Sequence, residues 1–232
     1  MLIKSTDDTT HHRISALVYG KAGIGKTTLA RTLPGRTLIV SAESGLLSLA
    51  NSKIDYVELE GKTAVDKIAS LKEILDFLKN GAPYDNIFID SITEIGQLFT
   101  ELYAGQFTRA ESRVLWQEYD KSMRWFIKRM RDFAPYNVIV TCLEKEDKDD
   151  LARKTYGPDL QGSIAGKIAQ YFDEVFNFQI VPVEDKFKRV LYTDHFDGHI
   201  AKDRSGSLNM VEPANLTHIF NKILKKEAVK CD

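Results

Sequence analysis

Between residues 14 and 33 the chain has little choice of local topology. Ile14, Ala16, Leu17 and Val18 make a short apolar run, the segment 20–28 follows, and Leu29, Ala30 and Leu33 continue at helical spacing. Within 20–28, Gly20, Gly25, Lys26 and Thr27 fit the pattern G-x-x-x-x-G-K-[ST]. That pattern has physical meaning only between a strand and a helix, which is the context here. Glycines let successive backbone N–H groups turn inward around an anion, and the helix N-terminus adds its partial positive charge. Gly20, Lys21, Ala22, Gly23, Ile24, Gly25 and Thr28 therefore read as the wall of a triphosphate cradle. Lys26 is expected to reach the β- and γ-phosphates, and the Thr27 hydroxyl to ligate Mg2+.

A chain of 232 residues with 43% hydrophobic residues can bury one sizeable core. No stretch approaches the length of a membrane span, and the polar start lacks the apolar centre of a signal peptide. The 2 cysteines, Cys142 and Cys231, lie far apart and form no metal pattern. These features lead to the expectation of a cytoplasmic protein with no membrane partner. The formal net charge of −1 excludes a global basic field, so nucleic-acid contact must come from local patches.

Along the chain, apolar runs alternate with helical patterns. The expected order is strand 14–19, helix 26–33, strands 37–41 and 54–58, helix 63–80, strand 86–90 and helix 92–104. A long helix 112–134, strand 137–142, a polar stretch 143–162 and a short helix 163–171 follow. The last part reads as strands 174–181, 187–194 and 197–201, then a helix 213–228 beginning at Pro213. Alternating strands and helices predict an α/β fold, a mainly parallel sheet flanked by helices. The terminal hairpins predict an antiparallel extension. Residues 1–12 are expected to be a flexible N-terminus, 13–210 one domain, and 211–232 a C-terminal helix and tail. In the long helix Trp116, Tyr119, Met123, Phe126, Met130 and Phe133 form a core stripe. Lys121, Arg124, Lys128 and Arg131 form a basic stripe that fits either a solvated face or a phosphate track.

Three further places carry chemistry. The apolar strand 86–90 ends in Asp90, where a carboxylate can hold magnesium beside Thr27. Strand 37–41 delivers Glu43 to the crevice at strand carboxyl ends, where it can activate a water or be a surface glutamate. Lys202 and Arg204 alternate onto one face of a turn closed by Gly206. Such a pair can neutralise a γ-phosphate, although spacing alone reads it as an exposed basic turn.

Taken together, the segments 20–28, 41–45, 88–91 and 201–206 resemble the RecA-like ATPase core. The likeness is to small phage-encoded RecA-like proteins with an AAA domain, some of which assist single-strand annealing. Segments 116–120 and 137–142 share in it, and it spans about residues 14 to 206. The resemblance implies Mg2+-dependent ATP hydrolysis with Glu43 as the water-activating carboxylate and Asp90 as the second magnesium-site acid. It implies that Lys202 and Arg204 enter a neighbouring subunit's site, so the protein would self-associate as a ring or filament. Thr141, at the end of strand 137–142, becomes the candidate γ-phosphate sensor.

RecA-like cores face nucleic acid through two loops, which fall here near 105–112 and 143–162. Arg109, Arg153, Lys154 and Tyr156 are the candidate contacts to single-stranded DNA. Yet the second segment carries a net charge of −2, which departs from a simple electrostatic groove. The functional expectation is an ATPase acting on single-stranded DNA in phage-type recombination or annealing. One alternative is a nucleotide-gated loader or scaffold for a single-strand-binding or replication partner. Another is a small-molecule or nucleotide kinase, for which 143–162 is the sole lid candidate.

Overall fold

The computed structural model describes residues 13–133, 135–184 and 186–225. The expected loose start at 1–12, and everything from 226 on, including Cys231, lie outside the described residues.

One sheet organises the molecule. Its parallel part comprises β1 (Ser15–Gly20), β2 (Thr37–Ser41), β3 (Asp55–Glu58), β4 (Asn86–Asp90), β5 (Asn137–Lys148) and β7 (Glu174–Val183). The antiparallel part adds β6 (Lys154–Pro158), β8 (Lys186–Tyr192), β9 (Lys202–Asp203) and β10 (Val211–Pro213). The order is β10-β8-β7-β1-β5-β4-β2-β3, with β6 on β5 and β9 on β7. β1, β2 and β4 are buried along their whole length, as strands covered on both faces must be. The expected α/β class, parallel core and antiparallel C-terminal extension are all present.

One face carries α1 (Ala64–Lys79), α2 (Ile92–Ala104) and α3 (Ser112–Arg131), with Leu71, Ile95, Tyr119, Met123 and Phe126 in its core. α1 starts at a reciprocal cap, Thr63 with Asp66. The other face is thinner. It holds a 3-10 turn at Thr27–Thr32 and α4 (Leu216–Lys225), which share a core with Ile24, Phe176, Phe178 and Leu191.

Several elements differ from the sequence expectation. The helix expected at 26–33 is the 3-10 helix Thr27–Thr32, of 6 residues, which ends where Leu33 precedes Pro34 and takes extended backbone (ψ 140°). The polar stretch 143–162 is largely a hairpin: β5 runs on to Lys148 and pairs with β6, Glu146 facing Tyr156 and Lys148 facing Lys154. The strand expected at 197–201 is a turn around His199, and pairing with β7 resumes at Lys202. Pro213 ends β10 rather than opening a helix; α4 begins at Leu216, where Asn215 Oδ1 accepts from His218 N at 3.0 Å. Thr32 then ties α4 down, its hydroxyl accepting from Leu216 N at 2.9 Å. Trp116 is not core: it is 38% exposed and packs edge-on against Tyr119. Along the basic stripe, Lys121 pairs with Glu118, Arg124 with Asp120 and Arg131 with Asp132, as on a solvated face.

Candidate nucleotide site

The site lies where β1, β4 and β2 end. Gly20 closes β1, and Gly23 (φ +73°) and Gly25 (φ +108°) adopt left-handed backbone that side chains resist. A Cβ on Gly25 would also stand 3.0 Å from the Thr28 hydroxyl. Lys26 is buried and folds back along the loop, donating to the carbonyls of Gly20 at 2.9 Å and Lys21 at 3.0 Å. Burial lowers its pKa, while the nearby carboxylates of Glu43 and Asp90 work in the opposite direction. The ammonium thus waits inside the loop, held by carbonyls that an anion can outcompete.

Asp90 is the hub. Thr27 Oγ1 donates to its Oδ2 at 2.6 Å, and Thr141 Oγ1 to its Oδ1 at 2.5 Å. β5 runs between β1 and β4, so Thr141 reaches Asp90 from the strand beside it, while Thr27 arrives from the loop. Ser41 pairs with Asp90 across β2 and β4, and Ala42 N donates to the Asp90 carbonyl at 2.7 Å. Two residues past that pairing, exposed Glu43 accepts a hydrogen bond from the hydroxyl of fully buried Ser91. Glu94, in the first turn of α2, has its pKa raised by burial and then by Glu43.

The residues present suit magnesium. Thr27 and Asp90 put a hydroxyl and a carboxylate oxygen side by side, the hard donors this ion takes. Among the described residues no cluster of three or more His, Cys, Asp or Glu could hold a metal. None is required, since Mg2+ is commonly held by one or two protein oxygens together with substrate phosphates.

The remaining candidates lie elsewhere. Lys202 and Arg204 flank Asp203, which pairs with Glu174, and Glu174 in turn pairs with Ala16 near the start of β1. They therefore sit at the opposite end of the sheet from Gly20, roughly 13 Å along β1. Lys202 Nζ donates to the carbonyls of Ala169 and Phe172, and Arg204 pairs with Asp173. Burial lowers the Lys202 pKa, and the Arg204 charge lowers it further. Arg109 is exposed before α3. In the β5–β6 hairpin Arg153 pairs with Asp149 at 2.7 Å and Lys154 with Glu146 at 2.8 Å. The Tyr156 ring stacks on His199, centroids 4.3 Å apart.

Two contacts at the site carry no sequence signal. Ser91 follows Asp90 visibly, but its bond to Glu43 depends on β2 and β4 being neighbours. Arg189 Nε, from β8, donates to the loop carbonyl of Ile24 at 2.8 Å across 165 residues of chain.

A family model described as an AAA domain matches residues 12–205. A search of curated proteins finds no match. Among solved structures, flagellar accessory protein FlaH from Methanocaldococcus jannaschii is 12% identical, with 87% of this chain and 88% of that chain covered and a TM-score of 0.41. Because the family match takes in the phosphate loop, Glu43, Asp90 and Thr141, the chain belongs to the AAA-domain family of P-loop ATPases.

Proposed function

We propose that the protein hydrolyses ATP with Mg2+ and couples hydrolysis to single-stranded DNA, in recombination or annealing of the phage type. The observation that carries the hydrolytic part is the convergence on Asp90 of Thr27 and Thr141, with Glu43 held beside it by Ser91. Loop amides and Lys26 bind the triphosphate; Lys26 exchanges its carbonyl partners for phosphate oxygens. Mg2+ would be held by Thr27 and Asp90 and would supply positive charge to offset that of the triphosphate. Glu43 orients a water toward the γ-phosphorus and takes its proton as the new P–O bond forms and the bond to the β-phosphate oxygen breaks. Ser91 fixes the carboxylate that does this. Thr141, already on Asp90, is the group best placed to register whether the γ-phosphate is present.

Self-association completes the scheme. Lys202 and Arg204 are too far along the sheet to serve their own loop, so their contribution would be to a neighbour's site, after release from Ala169, Phe172 and Asp173. A second reading, a loader or scaffold that binds a replication protein, is favoured by one observation. The Arg153 and Lys154 cations on the β5–β6 hairpin are already matched by Asp149 and Glu146.

Steady-state ATP hydrolysis with and without single-stranded DNA, with Lys26→Ala as the blank, separates these. Stimulation by single strands supports the coupled ATPase. A rate indifferent to DNA leaves the hydrolase and favours the loader. No hydrolysis above the Lys26→Ala blank would refute the proposal.

A further inference from the structure

Glu43 and Asp90 orient the whole nucleotide in the proposed reading. Glu43 follows β2 and Asp90 ends β4, both to one side of β1, so the γ-phosphate points that way and the nucleoside leaves on the other side. The sheet order puts β7 and β8 there. β7 passes very close to the loop, since a Cβ on Gly20 would lie 2.7 Å from the Phe178 carbonyl. The β7–β8 hairpin then continues beyond the loop, with Ile180 opposite Arg189 and Pro182 opposite Phe187.

Facing follows from alternation. Phe178 and Leu191 are paired and buried in the same core as Ile24, on the face that carries the phosphate-loop turn. Stepping outward by two residues on each strand puts Ile180, Arg189, Pro182 and Phe187 on that face, above the loop. Arg189 confirms the direction: its Nε bonds to the Ile24 carbonyl and would stand 3.2 Å from a Cβ on Gly25. Beyond it the surface is apolar and open, Ile180 being 43% and Phe187 80% exposed. Among the described residues the Arg189 Nη groups have no hydrogen-bond partner.

We propose that this face of the β7–β8 hairpin is the nucleoside subsite: Phe187 stacks on the base, and Arg189, braced on Ile24, donates from its Nη groups to the α-phosphate. The spacing suits a nucleotide. Same-face neighbours on a strand are about 6.6 Å apart, comparable to the separation of α-phosphate and base. Chemistry suits it too, because an aromatic face accepts any base, and a guanidinium fixed through Nε still offers a planar pair of donors to an anion. The inference rests on the nucleotide reading above, and it adds a cation in cis that is distinct from Lys202 and Arg204.

Calorimetric titration of the full chain with ATP and with inorganic tripolyphosphate, in Mg2+, tests it. Phe187 is exposed, so Phe187→Ala should fold. Loss of stacking predicts roughly tenfold weaker ATP binding with tripolyphosphate binding unchanged, and Phe187→Trp retaining ATP affinity. Arg189→Ala should weaken both ligands. If wild-type protein binds ATP and Phe187→Ala binds it equally well, the subsite is overturned while the nucleotide reading stands. Equal weakening of both ligands by Phe187→Ala would also overturn it, because the effect would then lie in the loop. Binding of neither ligand by wild-type protein would overturn the nucleotide reading and the subsite together.

Discussion

Replacing Glu174 by glutamine should make the protein more stable in mild alkali and leave it unchanged in acid. Glu174 opens β7, is 2% exposed, and has one carboxyl oxygen buried with no hydrogen-bond partner. Burial, and then the facing Asp203 carboxylate, raise its pKa from 4.5 to about 8. Asp203 stays charged: burial opposes its ionisation, but hydrogen bonds from Ser205 Oγ at 2.6 Å, Leu208 N at 2.9 Å and Gly206 N at 2.9 Å hold its pKa down. Between pH 4.5 and about 8 the folded chain keeps a proton on Glu174 that the unfolded chain has released. Stability therefore falls as pH rises through that window. At about 1.4 kcal/mol per pH unit the loss approaches about 4 kcal/mol by pH 8.5, or about 10 °C in Tm for a chain of this size. Glutamine stays neutral and can still donate to Asp203. Thermal melts of both proteins from pH 5 to 8.5 should coincide at the acid end and diverge steadily, the variant ending higher. Parallel curves across that range would refute the assignment of a buried, protonated Glu174.

Other consequences concern packing and the proposed sharing of a site between subunits. Tyr136 is buried and its hydroxyl accepts from Ala82 N at 2.6 Å and donates to the Leu78 carbonyl at 2.9 Å. Tyr136→Phe should cost about 1–3 kcal/mol in urea unfolding by stranding those groups, and a loss below about 0.5 kcal/mol would contradict that role. Met123, on α3, is fully buried against Gly96 of α2, so Met123→Ala should cost about 2–5 kcal/mol in the same assay, and an unchanged midpoint would mean the packing is otherwise. Arg204→Ala should cripple ATP turnover while sparing ATP binding. Mixing it with Glu43→Gln protein should restore part of the activity, and an absence of rescue would count against a site shared between subunits.

The parts of the fold legible in the sequence are those where burial acts on both faces at once. β1, β2, β4 and the first half of β5 are continuous apolar runs, and Asp90 and Glu43 are visible because each ends or follows such a run. Legibility fails where pairing is polar or distant. From Glu144 to Lys148 every residue is charged, so no alternation marks the β5–β6 hairpin, and cross-strand pairs such as Lys154 with Glu146 hold it instead. Pro213 is a plausible first helical residue, but Asn215 supplies a side-chain cap and β10 claims the proline. The helical spacing after Thr28 is real, yet Pro34 stops it after the 6 residues of a 3-10 helix. Lys202 and Arg204 are visible in the sequence as an alternating pair, but Arg204 lies past the end of β9. Their partners Ala169, Phe172 and Asp173 come from a different part of the chain. Arg189 is hidden for the same reason, since only the sheet order brings β8 to the loop.

In the proposed reaction Glu43, held by Ser91 beside the Thr27–Asp90 pair, activates the water that attacks ATP. The most direct test is Glu43→Gln, with ATP affinity and single-turnover hydrolysis measured on the same preparation. A variant that has lost only this base should bind ATP within about twofold of wild type and hydrolyse it at least about 100-fold more slowly, in the range of removing a general base. Hydrolysis at the wild-type rate with intact binding would contradict it, and the catalytic base would have to be sought elsewhere in the site.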